Sequence, residues 1–386
     1  MSSAAENKSE TNEKKLQRNT SIKLRIHPNE EQAQLIDRTF GCCRFLWNRM
    51  LADEQEFYSA TGEHFIPTPA RYKNDFPFLK EVDSLALASV HQNLRRAFSK
   101  FFEQPEHYSY PVFKHKANAH NAYTTYCQYF KSGPTVYLTD EGIRLPKLGI
   151  VQATFHRKPL HWWTLKSATI SKTPTGKYFC SLLFEYEKNE VAPVIATEEN
   201  TVGLNFSLSA LYVDSEANAP GLPPHMKRSQ QKLYDMQRKL SRMERGSKNY
   251  EQQLHKIRLL HEHIANQRQD FLHKESRRIA DERGAVCVSD IDLRDVSRKL
   301  KHGNAMDSGF GELRVQLAYK LERQGKQFIA VKKFTPTART CSVCGYESPE
   351  SSVARTFKCE KCGAKLNRAV NAAMNIKKFG LQQNQK

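Results

Sequence analysis

The segment Thr201-Val202-Gly203-Leu204-Asn205-Phe206 decides how the second half of the chain folds. Its short apolar run ends in a polar residue, which predicts a buried strand with a polar side chain at its carboxyl end. The segment Ala285-Val286-Cys287-Val288-Ser289-Asp290-Ile291 has the same pattern. Further on, the run from Asn367 to Ile376 opens a helix. These three segments predict an α/β domain that starts near residue 201.

Between the two strands the pattern predicts a pair of long helices. Gly246 separates two apolar stripes, and an antiparallel hairpin packed on itself explains both of them. The stripes are formed by Leu233, Met236, Leu240 and Met243, and by Tyr250, Leu254, Ile257, Ile264 and Phe271. The outer faces carry an excess of basic residues, which is compatible with a solvated surface and also makes phosphate contact a hypothesis.

A four-cysteine pattern lies between the second strand and the last helix. Cys341 and Cys344 form one C-x-x-C pair, and Cys359 and Cys362 form another. A glycine follows each pair, which is typical of a zinc-ribbon knuckle. Four thiolates close a tetrahedral site without an open position, so the predicted zinc is structural. Iron and a metal-free thiol cluster are the alternatives. The other cysteines are expected to be reduced thiols.

The first half of the chain alternates between helical and strand patterns. Residues 1–20 are polar and predict a disordered tail, and Ser21 to Ile26 predicts a strand. Asn29 is a candidate N-cap for a helix over residues 30–60, and a second helix is expected from Ser84 to Phe102. Short strands are then predicted around residues 110–116, 122–126, 136–138, 149–151, 168–170 and 178–184. Together these strands predict a small β-barrel interrupted by the two helices.

Composition points to a polyanionic partner. The 386 residues include 60 Lys and Arg against 41 Asp and Glu, which gives a net charge of +19. A charge of this size favours nucleic acid, with a membrane surface as the other polyanion. No apolar run approaches the roughly 20 residues that span a bilayer, and the N-terminus lacks the apolar core of a signal peptide. We therefore expect a protein of the bacterial cytoplasm, associated with the nucleoid and with no membrane partner.

Several ordered blocks resemble TnpB of the IS605 OrfB-like RNA-guided nucleases, the transposon-encoded ancestor of the Cas12 nucleases. The blocks include Leu24 to Pro28, Gly41 to Phe45 with Asn48, Leu145 to Gly149, Asp307 to Gly311, and Asn371 to Ile376. The resemblance implies an α+β multidomain fold, with a small WED-like β-barrel carrying a helical REC-like insert. A RuvC/RNase H-like α/β domain with an inserted zinc ribbon follows. The implied domains are a disordered tail (1–20), the barrel (21–39 and 108–195), the helical insert (40–107), the RuvC-like domain with the helical hairpin (196–340 and 363–386) and the zinc ribbon (341–362).

The resemblance also identifies what this chain lacks. In the family the three segments supply Asp, Glu and Asp to two metal ions, and the matching positions here are Asn205, Ser289 and Ala369. Two-metal hydrolysis requires carboxylates, so we expect no catalytic magnesium and no nuclease activity. Asp290 and Asp292 share a parity opposite to Ser289 and should point away from the site. The pattern is most similar to the nuclease-dead TnpB-like regulators called TldR.

For such a regulator the family implies RNA-guided binding of double-stranded DNA without cleavage, and transcriptional repression as the outcome. The implied partners are a guide RNA and a target duplex with a short adjacent motif. Candidate DNA-binding residues are Phe65, Ser84, Leu85, Ala88, Gln128 and Tyr129. Candidate residues for the RNA or heteroduplex are Arg44, Lys114, Lys116, Arg238, Arg242, Lys248, Arg268 and Lys274.

Three other functions stay open from the sequence. One is an active RNA-guided DNA endonuclease of the TnpB type, with acids at other positions. Another is a guide-independent transcription factor that uses the zinc ribbon, and the third is a guide-independent DNA-binding accessory protein of transposition. The oligomeric state is also open, a monomer included.

Overall fold

The computed structural model describes residues 15–116, 121–207, 210–221, 223–299, 309–333, 335–349 and 354–384. The chain divides into two compact units, Met1–Asn189 and Glu190–Lys386. Both units contain helices and strands, which confirms the predicted α+β class. Within the described ranges, no helix has the length and apolar character of a membrane span. The finer domain boundaries stay predictions.

The first unit combines long helices with an antiparallel sheet. The sheet has seven strands in the order β2-β8-β9-β1-β7-β6-β5, and its closure into a barrel stays a prediction. The elements are β1 (Lys15–His27), α1 (Glu30–Thr61), α2 (Pro69–Asp75), a 3₁₀ helix (Pro77–Lys80), α3 (Ser84–Glu103), β2 (Ala122–Tyr126), β3 (Tyr129–Phe130), β4 (Gly133–Pro134), β5 (Tyr137–Leu138), β6 (Gly142–Leu145), β7 (Gly149–Thr154), β8 (Thr164–Lys172) and β9 (Tyr178–Asn189).

The N-terminus of α1 confirms the predicted cap. The Asn29 side chain accepts the backbone N–H of Gln32 at 2.8 Å. The Gln32 side chain accepts the backbone N–H of Asn29 at 3.0 Å, which completes a capping box. The helix ends at Gly62, whose φ of 74° suits a residue without a Cβ.

Two predictions for this unit are wrong in detail. The first strand begins at Lys15, because its early residues pair with the end of β9 as far as Asn189. The predicted disordered tail therefore overlaps β1 at residues 15–20, and residues 1–14 lie outside the described residues. Residues 110–116 form no strand. Side chains of α1 hold this segment instead, through Trp47 Nε1 donating to Val112 O at 3.0 Å and Asn48 Nδ2 donating to Lys114 O at 2.9 Å.

The second unit is a mixed sheet covered by helices. The sheet order is β11-β10-β12-β13, in which β10, β12 and β13 are parallel and β11 is antiparallel. The predicted strands and hairpin are confirmed, and Gly246 separates the two hairpin helices at a φ of 85°. The elements are β10 (Thr201–Phe206), β11 (Tyr212–Asp214), α4 (Pro224–Leu240), α5 (Lys248–Glu282), β12 (Ala285–Ser289), α6 (Leu293–Lys299), α7 (Phe310–Arg323), β13 (Gln327–Val331), β14 (Thr356–Lys358), β15 (Lys365–Asn367) and α8 (Arg368–Asn384).

The last helix, α8, packs closely on this sheet at two glycines. A Cβ added at Gly203 of β10 would lie 2.2 Å from the backbone oxygen of Ala373. A Cβ added at Gly380 of α8 would lie 2.4 Å from the sulfur of Cys287 in β12. Since real Cβ atoms do not approach so closely, these two contacts require glycine and fix the position of the helix on the sheet.

Candidate functional site

The two faces of the four-stranded sheet in the second unit are covered by different helices. Val202, Leu204, Val286 and Val288 share a core with residues of α5 and α7. Gly203 and Cys287 have the opposite parity, and they contact α8. Because side chains alternate along a strand, Asn205 and Ser289 belong to the face that α8 covers.

The three positions predicted to have lost their acids lie at one end of this face. Leu204 pairs with Val288, so Asn205 and Ser289 follow at the carboxyl ends of neighbouring parallel strands. The Asn205 amide Nδ2 donates to the backbone oxygen of Ala369 at 3.3 Å, which ties β10 to the first turn of α8. The Asn367 side chain caps this helix by accepting the N–H of Ala369 at 2.9 Å. The strand ends therefore present an amide and a hydroxyl, and the helix presents a methyl group.

The hydrogen bond from Asn205 is one that an aspartate could not make. A carboxylate has no hydrogen to donate, and at this position it would face the Ala369 carbonyl oxygen across a short distance. Two oxygens that close repel each other unless a cation lies between them. The Asn205 amide N–H therefore has a partner in the protein that requires no metal.

The neighbouring acids are engaged elsewhere. Asp290 forms an ion pair with Arg314 of α7 at 3.2 Å, on the face opposite α8. This contact agrees with the predicted alternation of strand side chains. Asp292 accepts the backbone N–H of Arg294 at 2.8 Å at the start of α6, and this bond lowers the pKa of its carboxyl group.

Potential metal ligands come together at the four cysteines of the second unit. Among the described residues, a single group of three or more His, Cys, Asp or Glu side chains could hold a metal ion, and it consists of Cys341, Cys344, Cys359 and Cys362. Asp307 and Ser308, which belong to one of the blocks that resemble TnpB, lie outside the described residues.

The four cysteines have the geometry of a tetrahedral thiolate site. Their sulfur atoms all lie within 4.8 Å of one another, and two of the distances are 3.8 Å (Cys341 to Cys362) and 3.6 Å (Cys344 to Cys359). Zinc–sulfur bonds of about 2.3 Å place tetrahedral sulfurs roughly 3.8 Å apart. The backbone N–H of Cys362 lowers the pKa of the Cys359 thiol and so favours the thiolate. The cluster is consistent with a structural zinc.

Each cysteine pair lies on a tight turn that a glycine completes. Gly345 donates its N–H to Cys341 O at 2.9 Å, and Gly363 donates to Cys359 O at 3.0 Å. Both glycines have positive φ angles, 75° and 73°, which explains the glycine after each pair. The second turn joins β14 to β15, and β15 leads directly into α8.

Two buried asparagines connect α8 to the first cysteine turn. Asn371 accepts the N–H of Ser342 at 2.9 Å and donates to Thr340 O at 2.8 Å. Asn375, one helical turn later, donates to Thr337 O at 2.9 Å and to Thr340 O at 2.6 Å. Sequence reasoning did not predict this connection. Its signal is a pair of asparagines four residues apart on the apolar side of a helix.

In the first unit, the structure brings together three of the candidate RNA-binding residues. Arg44 lines two adjoining cavities, of about 730 and 560 Å³, with Lys114 on the first and Lys116 on the second. The Lys114 ammonium lies 3.7 Å from the centre of the Trp47 ring. Its partial burial there lowers the pKa of Lys114, although much of the side chain remains accessible.

The other candidate RNA-binding residues lie on the α4–α5 hairpin of the second unit. Arg238, Arg242 and Lys248 are exposed near its turn, and Arg268 is half-buried. Lys274 is exposed but forms an ion pair with Asp270 at 2.7 Å. The helices pack on each other as predicted, with Gln253 Nε2 donating to Met236 O at 3.2 Å.

The candidate DNA-binding residues occupy three places in the first unit. Ser84, Leu85 and Ala88 lie on the first turns of α3, and the Ser84 hydroxyl accepts a hydrogen bond from Lys73 at 3.0 Å. Exposed Phe65 packs against Phe57. Exposed Gln128 and Tyr129 lie at the β3–β4 hairpin, where the Tyr129 hydroxyl donates to Leu165 O at 2.9 Å. Their role in DNA binding stays a prediction.

Three family models match separate segments that together make up most of the chain. A helix-turn-helix model of IS605 OrfB proteins matches residues 18–63. The main IS605 OrfB model, described as a probable transposase, matches residues 183–300. The Cas12f1-like TNB model matches residues 310–376, which include the four cysteines and the start of α8.

Curated relatives match along nearly the whole chain. A Streptomyces pristinaespiralis protein named "Putative RNA-guided DNA endonuclease" is 29% identical over 94% of this chain and 89% of its own length. The Escherichia coli K12 protein InsQ, with the same description, is 29% identical over 94% of this chain and 92% of its own length.

A solved structure resembles the fold. A cryo-EM structure of a Cas12f1–sgRNA–target DNA complex matches with a TM-score of 0.56 at 12% identity, over 94% of this chain and 99% of that one. Three family models in sequence order, two near full-length relatives and this shared fold lead to one assignment. Along nearly its whole length, the chain is similar to proteins of the TnpB/IS605 OrfB family.

Proposed function

We propose that this protein binds double-stranded DNA at sites chosen by a guide RNA, and that it holds the DNA without cleaving it. The RNA-guided part is supported by the family and by the names of the two near full-length relatives. A net charge of +19 suits a protein that binds both an RNA and a DNA duplex. Bound near a promoter, such a complex would block RNA polymerase and repress transcription.

The observation that carries the second part is the chemistry at the strand ends. Asn205, Ser289 and Ala369 supply an amide, a hydroxyl and a methyl group where the resemblance implies three carboxylates. Magnesium prefers anionic oxygen ligands, and two-metal hydrolysis holds two such ions about 3.5–4 Å apart. One substitution could be compensated by water, but three leave no anionic ligand at these positions.

An active RNA-guided DNA endonuclease is the second candidate. The names of the relatives favour it over a repressor, because both near full-length matches are described as endonucleases. This candidate requires carboxylates from another part of the chain. Guide-independent DNA binding during transposition is a third candidate, for which the description of the IS605 OrfB model as a probable transposase is the support.

The experiment begins with RNA that co-purifies with the protein. Sequencing that RNA identifies a guide, and a plasmid library with randomised flanking sequence then reveals the target and its adjacent motif. We expect guide-dependent binding that weakens steeply with salt, and intact strands in Mg²⁺ or Mn²⁺. Mismatches near the motif should weaken binding more than distant ones.

The three candidates give different outcomes in this experiment. Guide-dependent scission of the plasmid would establish the endonuclease. Tight binding to one fixed duplex by RNA-free protein would establish the guide-independent accessory protein. Loss of reporter expression when the target lies at a promoter, with the plasmid intact, would establish repression.

A further inference from the structure

A cluster of aromatic and basic residues combines the segment between β7 and β8 with Tyr186 of β9, and the proposed function does not use it. We name it the Trp162 patch and define it by Arg157, Trp162, Trp163 and Tyr186. A turn shapes it, with the N–H of Trp163 donating to Leu160 O at 3.0 Å. The two tryptophans are adjacent in sequence, so one can anchor in the protein while the other projects from it.

Trp163 is the anchor of this patch. Its ring stacks on Tyr186 at 5.2 Å with an angle of 21° between the planes, and it also contacts Phe184 at 5.8 Å. Phe184 belongs to the buried core of the first unit. The aromatic base of the patch is therefore fixed to the sheet.

Trp162 is the projecting ring. It is 47% exposed, and its contacts with Trp163 and Tyr186 are edge-to-face, at 88° and 70°. Among the described residues, no ring stacks in parallel on it. An exposed indole on a rigid aromatic base is prepared to stack with a planar group, because little freedom is lost when the group binds.

The charges around the patch select the kind of planar group. The Arg157 guanidinium lies 5.3 Å from the Trp163 ring centre, and the exposed side chains of His156, Lys158 and His161 follow the same segment. Lys158 is 3.5 Å from Asp140, but these side chains are 75% and 99% exposed, so water screens the pair. A basic border suits a ligand that carries both planar rings and negative charge.

We propose that the Trp162 patch binds unpaired nucleotides of an RNA, with one base stacked on Trp162 and the adjoining phosphates near Arg157 and Lys158. Base stacking on an aromatic ring tolerates any sequence, and basic side chains follow the backbone. Paired bases are already stacked within their duplex, so a single-stranded segment is the form that fits. This inference rests on the proposed function in that RNA is taken as the natural partner.

The test is a fluorescence titration of the full-length protein, cleared of co-purified RNA, with an octamer of uridine. Stacking should quench tryptophan emission. Trp162→Leu keeps the apolar bulk but removes the ring. We expect it to lower the affinity for the octamer by roughly 5- to 100-fold and to reduce the quenching of tryptophan emission. Trp162→Phe keeps a ring and should stay within about threefold of the parent. Leu160→Ala is the matched control, since Leu160 is 50% exposed on the same segment, and it should leave the affinity unchanged.

Each outcome separates this inference from the proposed function. If Trp162→Leu is folded by circular dichroism and binds the octamer like the parent, the inference is wrong while guided DNA binding stands. A loss of the same size in Leu160→Ala would indicate general apolar adhesion and would also overturn the inference. Self-association of the parent that disappears in Trp162→Leu, with octamer binding retained, would make the patch a protein interface. Octamer binding that depends on Trp162, without guided DNA binding, would overturn the proposed function alone.

Discussion

The four-cysteine cluster and the strand ends beside α8 differ in the ligands that they offer to a metal. In the zinc ribbon, four sulfurs lie within 4.8 Å of one another, at distances that suit a zinc ion. At the start of α8, the Asn205 amide donates a hydrogen bond to the Ala369 carbonyl oxygen. The cysteines offer four candidate anionic ligands, whereas Asn205, Ser289 and Ala369 offer neutral side chains.

The comparison shows that a fold and its ligand sets can be separated. Helix α8 begins next to the strand ends, and its buried Asn371 and Asn375 bind the backbone of the first cysteine turn. The helix therefore needs the ribbon for its hydrogen bonds, whatever the chemistry at Asn205, Ser289 and Ala369. These hydrogen bonds fix the start of α8 independently of the side chains at the strand ends.

The largest effect is expected from removing a cysteine ligand. Cys344→Ser should release the zinc and destabilise the second unit, because structural zinc binding is worth on the order of 10 kcal/mol. Metal analysis by mass spectrometry and a thermal unfolding curve measure the two consequences.

The control for this change is Cys127→Ser in the first unit, where the thiol donates to Val136 O at 3.4 Å and belongs to no cluster. It should keep a full equivalent of zinc. Parent protein that contains no zinc, when purified without chelators, would remove the structural half of the comparison.

A smaller effect is expected at the connection between helix and ribbon. Asn375→Ala removes two hydrogen bonds to buried carbonyl oxygens and should lower the free energy of unfolding by about 1–3 kcal/mol. Gln382→Ala is the matched control, because Gln382 is an exposed amide on the same helix and should cost less than about 0.5 kcal/mol. Chemical denaturation measures both. Equal costs would mean that the connection contributes no stability.

Restoring the implied carboxylates should give the strand ends anionic metal ligands, as the cysteines give the ribbon. The triple variant Asn205→Asp, Ser289→Glu, Ala369→Asp should bring three carboxylates to one place. Its Mn²⁺ affinity, measured by calorimetry on the guide-bound complex, should then rise at least about tenfold. Asn205→Asp alone should bind no extra Mn²⁺ and should destabilise the protein by about 0.5–1.5 kcal/mol, since it loses the bond to Ala369. An unchanged affinity in the triple variant would show that these positions do not converge.

The smallest effect is expected at the acid beside Ser289. Asp290→Asn removes an ion pair whose carboxylate is 56% exposed, so the unfolding free energy should fall by less than about 1 kcal/mol. The Mn²⁺ affinity of the triple variant should not change when Asp290→Asn is added. A clear loss of affinity would identify Asp290 as a ligand and would weaken the contrast between the two locations.

Sequence patterns predicted the parts of the structure that depend on local chemistry. The alternation of side chains along a strand predicted that Asp290 lies on the face opposite Ser289. The spacing of the C-x-x-C pairs identified the sulfur cluster, and Asn29 predicted the start of α1.

The features that sequence patterns missed depend on distant partners. The early part of β1 is polar and becomes a strand because it pairs with the end of β9. Residues 110–116 have the composition of a strand, but the side chains of Trp47 and Asn48 take up their backbone groups. The Trp162 patch combines a loop with Tyr186 of a later strand, so no local window contains it, although the adjacent tryptophans beside Arg157 and Lys158 were a visible signal.

The close contacts of Gly203 and Gly380 have a consequence for how this protein can evolve. They hold α8 against the sheet by backbone approach, so that its position does not depend on which side chains occupy the strand ends. The neutral side chains at Asn205, Ser289 and Ala369 are therefore compatible with this packing of α8. Point mutations at these three positions can change the local chemistry while the helix keeps its place, whereas a substitution at either glycine would displace it.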